Sequence, residues 1–253
     1  MPAMSEFTNA PGDTLRWESP PVEHYQLGGS VHVWRVSVRQ SAQQLRGASE
    51  ILSDQEHIQA RRIRQPADRD RYLAAHSALR IILGRYLNEL PARIRFVTGP
   101  QGKPSLAPEF QASRVRFNLA HSGEWALVAV AAGRDVGVDV EQFRPLAEVA
   151  AIAESQFSPA EVAALSSLGE DRRLAAFFQI WACKEAFIKA TGLGLSYPLR
   201  DFSVPLGLAG ARPSPIQTSA GQTWGLLPLA PGSGYAGAVA AQGLDWDTAL
   251  WQF

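Results

Sequence analysis

The sequence predicts an α+β fold. Helical and strand-like segments follow one another along the 253 residues without the regular strand–helix alternation of a parallel doubly wound sheet. Each half of the chain contains a helical segment and a set of strands suited to antiparallel pairing. With 46% hydrophobic and 19% charged residues, the composition is that of a globular protein long enough to bury a sizeable core.

The N-terminal segments have clear local signals. Residues 1–28 are rich in proline, glycine and polar residues, which predicts a loose arm. The alternating segment from Val31 to Val38 predicts a strand. The next segment predicts a helix with Ser53 as its N-cap, because Glu56 follows at the capping-box position.

A long helix and a set of strands follow. Apolar residues at spacings of three and four predict one helix from Asp68 to Leu90, which Pro91 ends. The segment IRFVTGPQGKPSL predicts a short strand and a turn, and VRFNLAHSGEWALVAVAAG predicts a strand, a polar turn and a buried strand.

The second half begins with a predicted strand, DVGVDVEQ. Ser158 and Glu161 predict a capped helix, and the helix that contains WACKEAFIKATG comes next. Three later segments have strand-like patterns: DFSVPL, TWGLLPL and GYAGAVAAQ.

Composition limits the compartment and the partners. The single cysteine, Cys183, excludes an internal disulfide, so a reducing compartment is expected. No signal peptide is predicted, and the longest apolar runs are shorter than a membrane span. The formal net charge is zero, so no global field favours nucleic acid or a membrane. We expect a cytoplasmic protein with neither of these partners.

An acidic pair interrupts the strand GVDVEQ. Side chains alternate between strand faces, so Val138 and Val140 are expected to point to the core, with Asp139 and Glu141 together on the other face. Two like charges on one face repel, and Mg²⁺ held by carboxylates and phosphate oxygens removes that repulsion. A D-x-E triplet alone, however, is more often a solvated sheet face.

Charged residues also interrupt the apolar helix WACKEAFIKATG. Glu185 and Lys189 are four residues apart on one face, which is also the spacing of an ordinary surface ion pair. The flanking residues are apolar nearly all round, so the helix is predicted to be largely buried. A buried carboxylate and two lysines, Lys184 and Lys189, then need partners or a chemical role.

Basic residues concentrate between Arg61 and Lys103. Nine arginines and one lysine oppose three acidic residues, a local charge of +7. This segment indicates either a solvated basic face or a ligand with several phosphates, and its turn PQGKP could present Lys103 to an anion. No aromatic stacking platform accompanies the arginines, which disfavours nucleic acid. His121 at the end of FNLAHS has no nearby acid to make it a general base.

The order of these motifs carries a family resemblance. GKPSL, FNLAHSGEWALVAV, GVDVEQ and WACKEAFIKATGLGLS resemble the successive motifs of the 4′-phosphopantetheinyl transferases of the surfactin-synthetase-activating (Sfp) type. The family pattern is a GKP turn, F-N-x-S-H-S, G-x-D-x-E and W-x-x-K-E-A/S-x-x-K, and the resemblance extends from Val31 to Ala241. The tryptophan-containing C-terminal segment resembles cyanobacterial members.

The resemblance implies a fold and an activity. The family fold is a pseudo-dimer of two similar α+β halves with the active site between them. Residues 29–134 are thus expected to bind the phosphates and adenine of coenzyme A, and residues 135–253 to hold the metal site and the catalytic helix. Such enzymes transfer the 4′-phosphopantetheine arm of coenzyme A to a serine of an apo acyl or peptidyl carrier protein and release 3′,5′-ADP, with Mg²⁺ or Mn²⁺. The family's pseudo-dimeric type implies a monomer.

The resemblance also implies residue roles. Asp139, Glu141 and Glu185 match the metal-binding carboxylates, and Lys189 matches a lysine close to the pyrophosphate. Our hypothesis for catalysis is that Glu185, or a water that it orients, accepts the serine proton and that Lys189 stabilises or protonates the leaving phosphate. The positions that match coenzyme A contacts are Lys103, Pro104, Asn118, Ala120, His121 and Lys189.

Three positions depart from the family pattern. Ala120 replaces a serine, Gln59 stands where lysine or arginine is common, and His76 stands where arginine is frequent. Phosphate binding is therefore expected to differ in detail, with compensation from Arg61, Arg62 or Arg71.

Two alternative functions fit parts of the pattern. D-x-E with a later K-E pair also suits a metal-dependent nuclease, but the GKP turn and FNLAHS have no role in that interpretation. The other alternative is a non-catalytic module of the same fold that binds carrier proteins, and the complete carboxylate trio argues against it.

Overall fold

The computed structural model describes residues 15–21, 25–39, 47–194, 197–204, 212–217 and 221–253. It confirms the α+β fold, with two four-stranded sheets and one two-stranded sheet combined with helices. The strands are β1 (Val31–Ser37), β2 (Phe96–Thr98), β3 (Pro104–Leu106), β4 (Val115–Ser122), β5 (Trp125–Ala132), β6 (Val136–Gln142), β7 (Ser214–Gln217), β8 (Thr223–Leu229), β9 (Tyr235–Gln242) and β10 (Thr248–Gln252). The α-helices described over their full length are α1 (Asp54–Arg62), α2 (Pro66–Leu87), α3 (Val149–Gln156), α4 (Pro159–Ser166) and α5 (Glu170–Thr191).

The two halves repeat one arrangement. The first sheet has the order β10-β1-β5-β4, and the second has the order β6-β9-β8-β7. A strand, a long helix and an antiparallel strand pair thus occur first as β1, α2, β4 and β5 and then as β6, α5, β8 and β9. Both long helices have 22 residues. The chain passes from one half to the other between β5 and β6.

Three apolar clusters organise the molecule into four layers. One cluster lies between α2 and the first sheet, a second between α5 and the second sheet, and a third joins the facing sides of the two sheets. Val138 and Val140 belong to the third cluster, as expected for core residues. Asp139 and Glu141 point the other way, toward α5, so this face of β6 is covered by a helix rather than by solvent.

Local capping signals predict the helix starts correctly. Ser53 accepts a hydrogen bond from the Glu56 N–H, and the Glu56 carboxylate accepts one from the Ser53 N–H. Ser158 and Glu161 form the same capping box at α4.

The predicted helix from Asp68 to Leu90 is displaced at both ends. Helix α2 begins earlier, at Pro66, because proline is suited to the first helical turn. It ends before Asn88, which adopts a left-handed conformation with φ of 51° and closes the helix.

The C-terminal strands were predicted in part. TWGLLPL and GYAGAVAAQ form β8 and β9, but DFSVPL is not a strand over its described residues, because the carbonyl oxygen of Phe202 turns toward the buried Lys184. The last part of that segment, from residue 205, lies outside the described residues. Strand β10 was not predicted, since it pairs in parallel with β1 of the other half and no local pattern specifies so distant a partner.

The described part of the predicted N-terminal arm is packed against the C-terminal region. Glu18 forms a β-bridge with Trp251, and the indole N–H of Trp17 donates to the Ala230 carbonyl at 2.9 Å. The guanidinium of Arg35 lies between the rings of Trp17 and Trp125, 5.0 and 4.6 Å from their centroids. Residues 1–14 and 22–24 of the arm lie outside the described residues. Among those described, no helix has the length and apolarity needed to span a membrane.

Candidate active site

The acidic residue at the centre of β6 is buried and only half satisfied. Lys189 on α5 donates from Nζ to Asp139 Oδ1 at 2.5 Å. The other oxygen, Oδ2, is buried and has no hydrogen-bond partner. Burial raises the pKa of Asp139 to about 7, although the Lys189 ammonium opposes that shift. A buried carboxylate oxygen without a partner is an unusual and costly feature, and a cation at this point would satisfy it.

Two further carboxylates add negative charge near Asp139. Glu141 follows on the same face of β6, and Glu185 lies one turn before Lys189 on α5; both are partly exposed. Burial raises the pKa of Glu141, and the negative charge of Glu185 raises it further. The raised pKa of Lys189 reflects the opposite effect, because the attraction of Asp139 and the other carboxylates outweighs its burial.

This donor set fits a hard cation, because carboxylate oxygens are the ligands that Mg²⁺ prefers. It is not a preformed cage: among the described residues, no group of three or more histidine, cysteine, aspartate or glutamate side chains is arranged so that it could hold a metal ion by itself. Such openness suits an ion that is also bound by phosphate oxygens and water.

Lys184, adjacent to Glu185, belongs to a different part of the structure. Its side chain is buried, and Nζ lies 2.8 Å from the carboxylate of Glu161 and donates to the carbonyl oxygens of Leu199 and Phe202 at 2.8 and 2.7 Å. All of these partners come from the second half. The role of Lys184, which the sequence did not resolve, is therefore to hold the chain that follows α5.

The end of β4 brings the first half to the same region. His121 is exposed and points toward the α2 side of its sheet. Partial burial lowers the pKa of the His121 ring, and the nearby charges of His76 and Lys189 lower it further. Arg71 on α2 also lies within electrostatic reach of His121, while it pairs with Asp68 at 2.6 Å. Positive groups from both halves therefore converge beside the carboxylates.

Two residues that depart from the family pattern, Gln59 on α1 and His76 on α2, make contacts within the first half. His76 stacks on Tyr72 with ring centroids 3.9 Å apart, and its Nδ1 lies 3.4 Å from the carboxylate of Glu56. Gln59 is 3.5 Å from Arg62. Arg61 and Arg62 are exposed in the last turn of α1.

Lys103 and Pro104 line a cavity of about 430 Å³ that lies between the β2–β3 turn and the C-terminal end of α5. Two of the three ammonium protons of Lys103 are donated to the carbonyl oxygens of Val136 and Ala190, at 3.1 and 2.9 Å. One proton remains for an anion. Arg116 and Asp135 also line this cavity.

Asn118 and Ala120 face the second sheet rather than the cavity. The side-chain oxygen of Asn118 is buried and accepts the Val138 N–H at 2.9 Å, so only its amide nitrogen is left for another partner. Ala120 is buried in the cluster between the sheets. Electrostatic interactions thus link Asp139, Glu141, Glu185 and Lys189 with one another, and they link His121 with Lys189 and Arg71. Lys103 and Pro104 line the cavity beside the end of α5, whereas Asn118 bonds to β6 and Ala120 lies between the sheets.

Sequence reasoning missed three residues that shape the site. Ser122 donates to Glu141 Oε2 at 3.2 Å, and Glu161 pairs with Lys184. A side chain at Gly137 would begin 2.2 Å from the Ala186 carbonyl oxygen and the Ala190 nitrogen, so this glycine lets β6 lie directly against α5. The glycine of G-x-D-x-E and the final serine of FNLAHS were visible in the motifs, but a local pattern does not reveal their distant partners.

Comparison with known families assigns both halves of the chain. Residues 135–239 match the family described as the 4′-phosphopantetheinyl transferase superfamily. Residues 36–133 match the family described as 4′-phosphopantetheinyl transferase, N-terminal. Together the two matches cover most of the chain and meet where β5 is followed by β6.

Similar proteins extend this result. The 4′-phosphopantetheinyl transferase HetI of Nostoc sp. (strain PCC 7120) is 35% identical over 237 residues, 94% of this chain and 98% of that protein. The cyanobacterial protein slr0495 of Synechocystis sp. (strain PCC 6803) is 40% identical over 150 residues, 59% of this chain and 61% of its own length. The 4′-phosphopantetheinyl transferase Sfp of Bacillus subtilis (strain 168) is 33% identical over 156 residues, 62% of this chain and 67% of that protein.

Proposed function

The chain belongs to the 4′-phosphopantetheinyl transferase superfamily and is an enzyme of that class, and from this premise we propose its substrates and chemistry. It transfers the 4′-phosphopantetheine arm of coenzyme A to a serine hydroxyl of an apo acyl or peptidyl carrier protein. The observation that carries the proposal is the buried Asp139, whose Oδ2 has no partner and whose Oδ1 is bound by Lys189. It lies where positive groups from both halves converge.

Asp139, Glu141 and Glu185 are the residues that would hold Mg²⁺ or Mn²⁺. The unpartnered Asp139 oxygen supports this assignment, as do the raised pKa values of Asp139 and Glu141. The metal, when bound, would neutralise part of the negative charge on the pyrophosphate of coenzyme A and on the phosphate oxygens during transfer.

The chain's own groups are proposed to move the protons. The carrier serine oxygen attacks the β-phosphorus, a new O–P bond forms, and the bond from that phosphorus to the α-phosphate oxygen breaks. Glu185, or a water that it orients, accepts the serine proton. Lys189 places its ammonium at the leaving α-phosphate and stabilises or protonates it, so 3′,5′-ADP departs. The raised pKa of Lys189 keeps it charged at neutral pH.

The remaining contacts to coenzyme A are assigned to the first half. His121 on β4 lies within electrostatic reach of Lys189 and of Arg71 on α2, so His121 and Arg71 suit a phosphate group. The cavity beside Lys103 and Pro104 suits the adenosine portion, since its walls combine apolar surface with the ammonium of Lys103.

Mass spectrometry of carrier proteins tests the proposal. The purified chain is incubated with coenzyme A, Mg²⁺ and a panel of apo carriers from fatty acid, polyketide and nonribosomal peptide synthesis. We expect at least one carrier to gain the mass of one phosphopantetheine, with 3′,5′-ADP released in equal amount. A carrier that is bound but never modified would indicate the non-catalytic alternative, and cleavage of added nucleic acid would indicate the nuclease.

A further inference from the structure

Strand β6 carries two of the three proposed metal ligands and is an edge strand among the described residues. Every second residue of β6 directs its backbone N–H and C=O groups toward β9. The bonds at the two ends of the pairing show which residues these are: the Asp135 carbonyl accepts the Gln242 N–H, and the Phe143 N–H donates to the Gly234 carbonyl. The backbone groups of the intervening residues therefore point away from β9. An unpaired edge of this kind needs other partners for its N–H and C=O groups.

Three side chains of the first half bond to backbone groups on this edge. The pairs are Lys103 Nζ with the Val136 carbonyl at 3.1 Å, Asn118 Oδ1 with the Val138 N–H at 2.9 Å, and Ser122 Oγ with the Gln142 N–H at 3.1 Å. Asn118 and Ser122 are four residues apart on β4, and their partners are four residues apart on β6. The two strands therefore run parallel in a register that is set by side chains instead of a backbone ladder.

Ser122 makes a second contact in the same place. Its oxygen accepts the Gln142 N–H and its single proton is donated to Glu141 Oε2 at 3.2 Å. His121 lies between Asn118 and Ser122 on the opposite face of β4. One short motif thus connects the exposed histidine of the first half to the carboxylate strand of the second.

We propose that Asn118 and Ser122 are positioning residues that set the register of β6 against β4, and that Ser122 also aims the Glu141 carboxylate at the metal. The aiming role rests on the proposed function, whereas the register role does not. Asn118 then acts through Val138 and not by touching coenzyme A, in contrast to the role that the resemblance implies.

Amide hydrogen exchange followed by NMR tests the register. In the wild-type protein the Val138 and Gln142 amides are expected to exchange slowly although they lie on a strand edge. Asn118→Ala should speed exchange at Val138, and Ser122→Ala at Gln142, each by about tenfold, which is the loss of one hydrogen bond. The Asp139 amide, which faces β9, is the internal control and stays protected. Unchanged exchange at Val138 and Gln142 would overturn the register role.

Titration with Mn²⁺, followed by its EPR signal, tests the aiming role without any carrier. We expect Ser122→Ala to bind Mn²⁺ about tenfold more weakly than wild type, as is typical when a residue that orients a metal ligand is lost. Ser122→Thr keeps the hydroxyl and should restore the affinity. Ser77→Ala is the matched control, because it removes a buried α2 hydroxyl that bonds the Leu73 carbonyl at 2.7 Å. It should lower stability without changing Mn²⁺ binding.

The outcomes separate the two proposals. Wild-type protein without Mn²⁺ affinity would contradict the proposed metal site and with it the aiming role, while the exchange rates still decide the register. Wild-type affinity retained by Ser122→Ala would overturn the aiming role alone.

Discussion

The ammonium group of Lys184 lies 2.8 Å from the carboxylate of Glu161, and both side chains are excluded from solvent. The next residue, Glu185, points in a direction about 100° further around the helix, where its charge acts on Asp139 of β6. Neighbouring residues of one motif therefore have different roles. Lys184 is structural and holds the chain after α5 in place, whereas Glu185 and Lys189 belong to the proposed active site.

We predict that Lys184→Met lowers the free energy of unfolding by about 3–5 kcal/mol, because it leaves the Glu161 carboxylate buried without its cation. Urea unfolding followed by circular dichroism measures the change. The double variant Lys184→Met/Glu161→Gln should lose less than the sum of the two single changes, since it removes both charges. Unaltered stability in Lys184→Met would contradict the structural role.

Lys189→Met should have the opposite effect to Lys184→Met: a large loss of turnover with little change in stability. Its loss leaves Asp139 without a cation, but a carboxyl whose pKa lies at about 7 takes up a proton at modest cost, so stability should change little. We expect kcat for carrier modification to fall by at least about 100-fold, the effect of losing a group that stabilises charge in the transition state. Parallel assays of Lys184→Met and Lys189→Met at 15 °C, with circular dichroism to verify that both variants are folded, measure the contrast. Similar turnover in the two variants would contradict the assignment of Lys189.

Gly137→Ala should destabilise the second half by about 1–3 kcal/mol. The added methyl group would lie 2.2 Å from backbone atoms of Ala186 and Ala190, which cannot move without shifting α5 away from β6. Gly29→Ala is the control, because its nearest atom is 3.9 Å away. Denaturant unfolding gives both values. Because the shift also separates Asp139 from Lys189, we expect the variant to lose transfer activity even when it is folded.

Local chemistry explains which parts of this structure could be predicted. The helix starts at Ser53 and Ser158 depend on residues three positions apart. Strand β1 depends on alternation, and the buried strand β5 on an apolar run, each within eight residues. The acidic pair on β6 and the Glu185–Lys189 spacing also lie within single elements, so each could be recognised, although their convergence was supplied by the resemblance.

The parts that could not be predicted depend on contacts between distant residues. Strand β10 has no distinctive pattern of its own and is ordered by pairing with β1, more than 200 residues away. Lys184 looked like a third charged residue of the site until the fold placed Glu161 next to it. Asn118 matched a ligand contact, yet its oxygen bonds a strand that begins 18 residues later in the sequence.

Acid should weaken the first half through Glu56. Burial would raise the pKa of this carboxyl, but hydrogen bonds from His76, Arg80 and Ser53 outweigh burial and lower the pKa from 4.5 to about 2. Between these values the unfolded chain binds the proton and the folded chain does not, so the stabilisation is complete above pH 4.5 and is lost as the pH falls toward 2. The shift corresponds to about 3 kcal/mol.

The measurement is urea unfolding of wild type and Glu56→Gln between pH 7 and pH 3. Wild type should lose stability more steeply, and the gap between the two curves should narrow as the pH falls toward 3. Asp54→Asn, on the exposed side of α1, is the control and should follow the wild-type slope. Parallel curves for wild type and Glu56→Gln would contradict a lowered pKa.

Metal removal gives the most direct test of the carboxylate site. We expect EDTA to abolish carrier modification and added Mg²⁺ or Mn²⁺ to restore it. A cation that binds the folded protein should also raise Tm, by an amount that grows with the logarithm of its concentration above Kd, independently of any carrier. Asp139→Asn removes the charge that faces the unpartnered position, so it should abolish both the Tm increase and the turnover.

Asp135→Asn provides the matched control, because this acidic residue lies four positions earlier, is exposed, and pairs loosely with Arg116 at 3.7 Å outside the carboxylate cluster. It should keep the metal-dependent rise in Tm. If Asp139→Asn and wild type respond equally to Mg²⁺, the buried oxygen of Asp139 is not a metal ligand. The raised pKa of Asp139 would then be explained by burial and by the negative charges of Glu141 and Glu185, with the Lys189 ammonium opposing the shift.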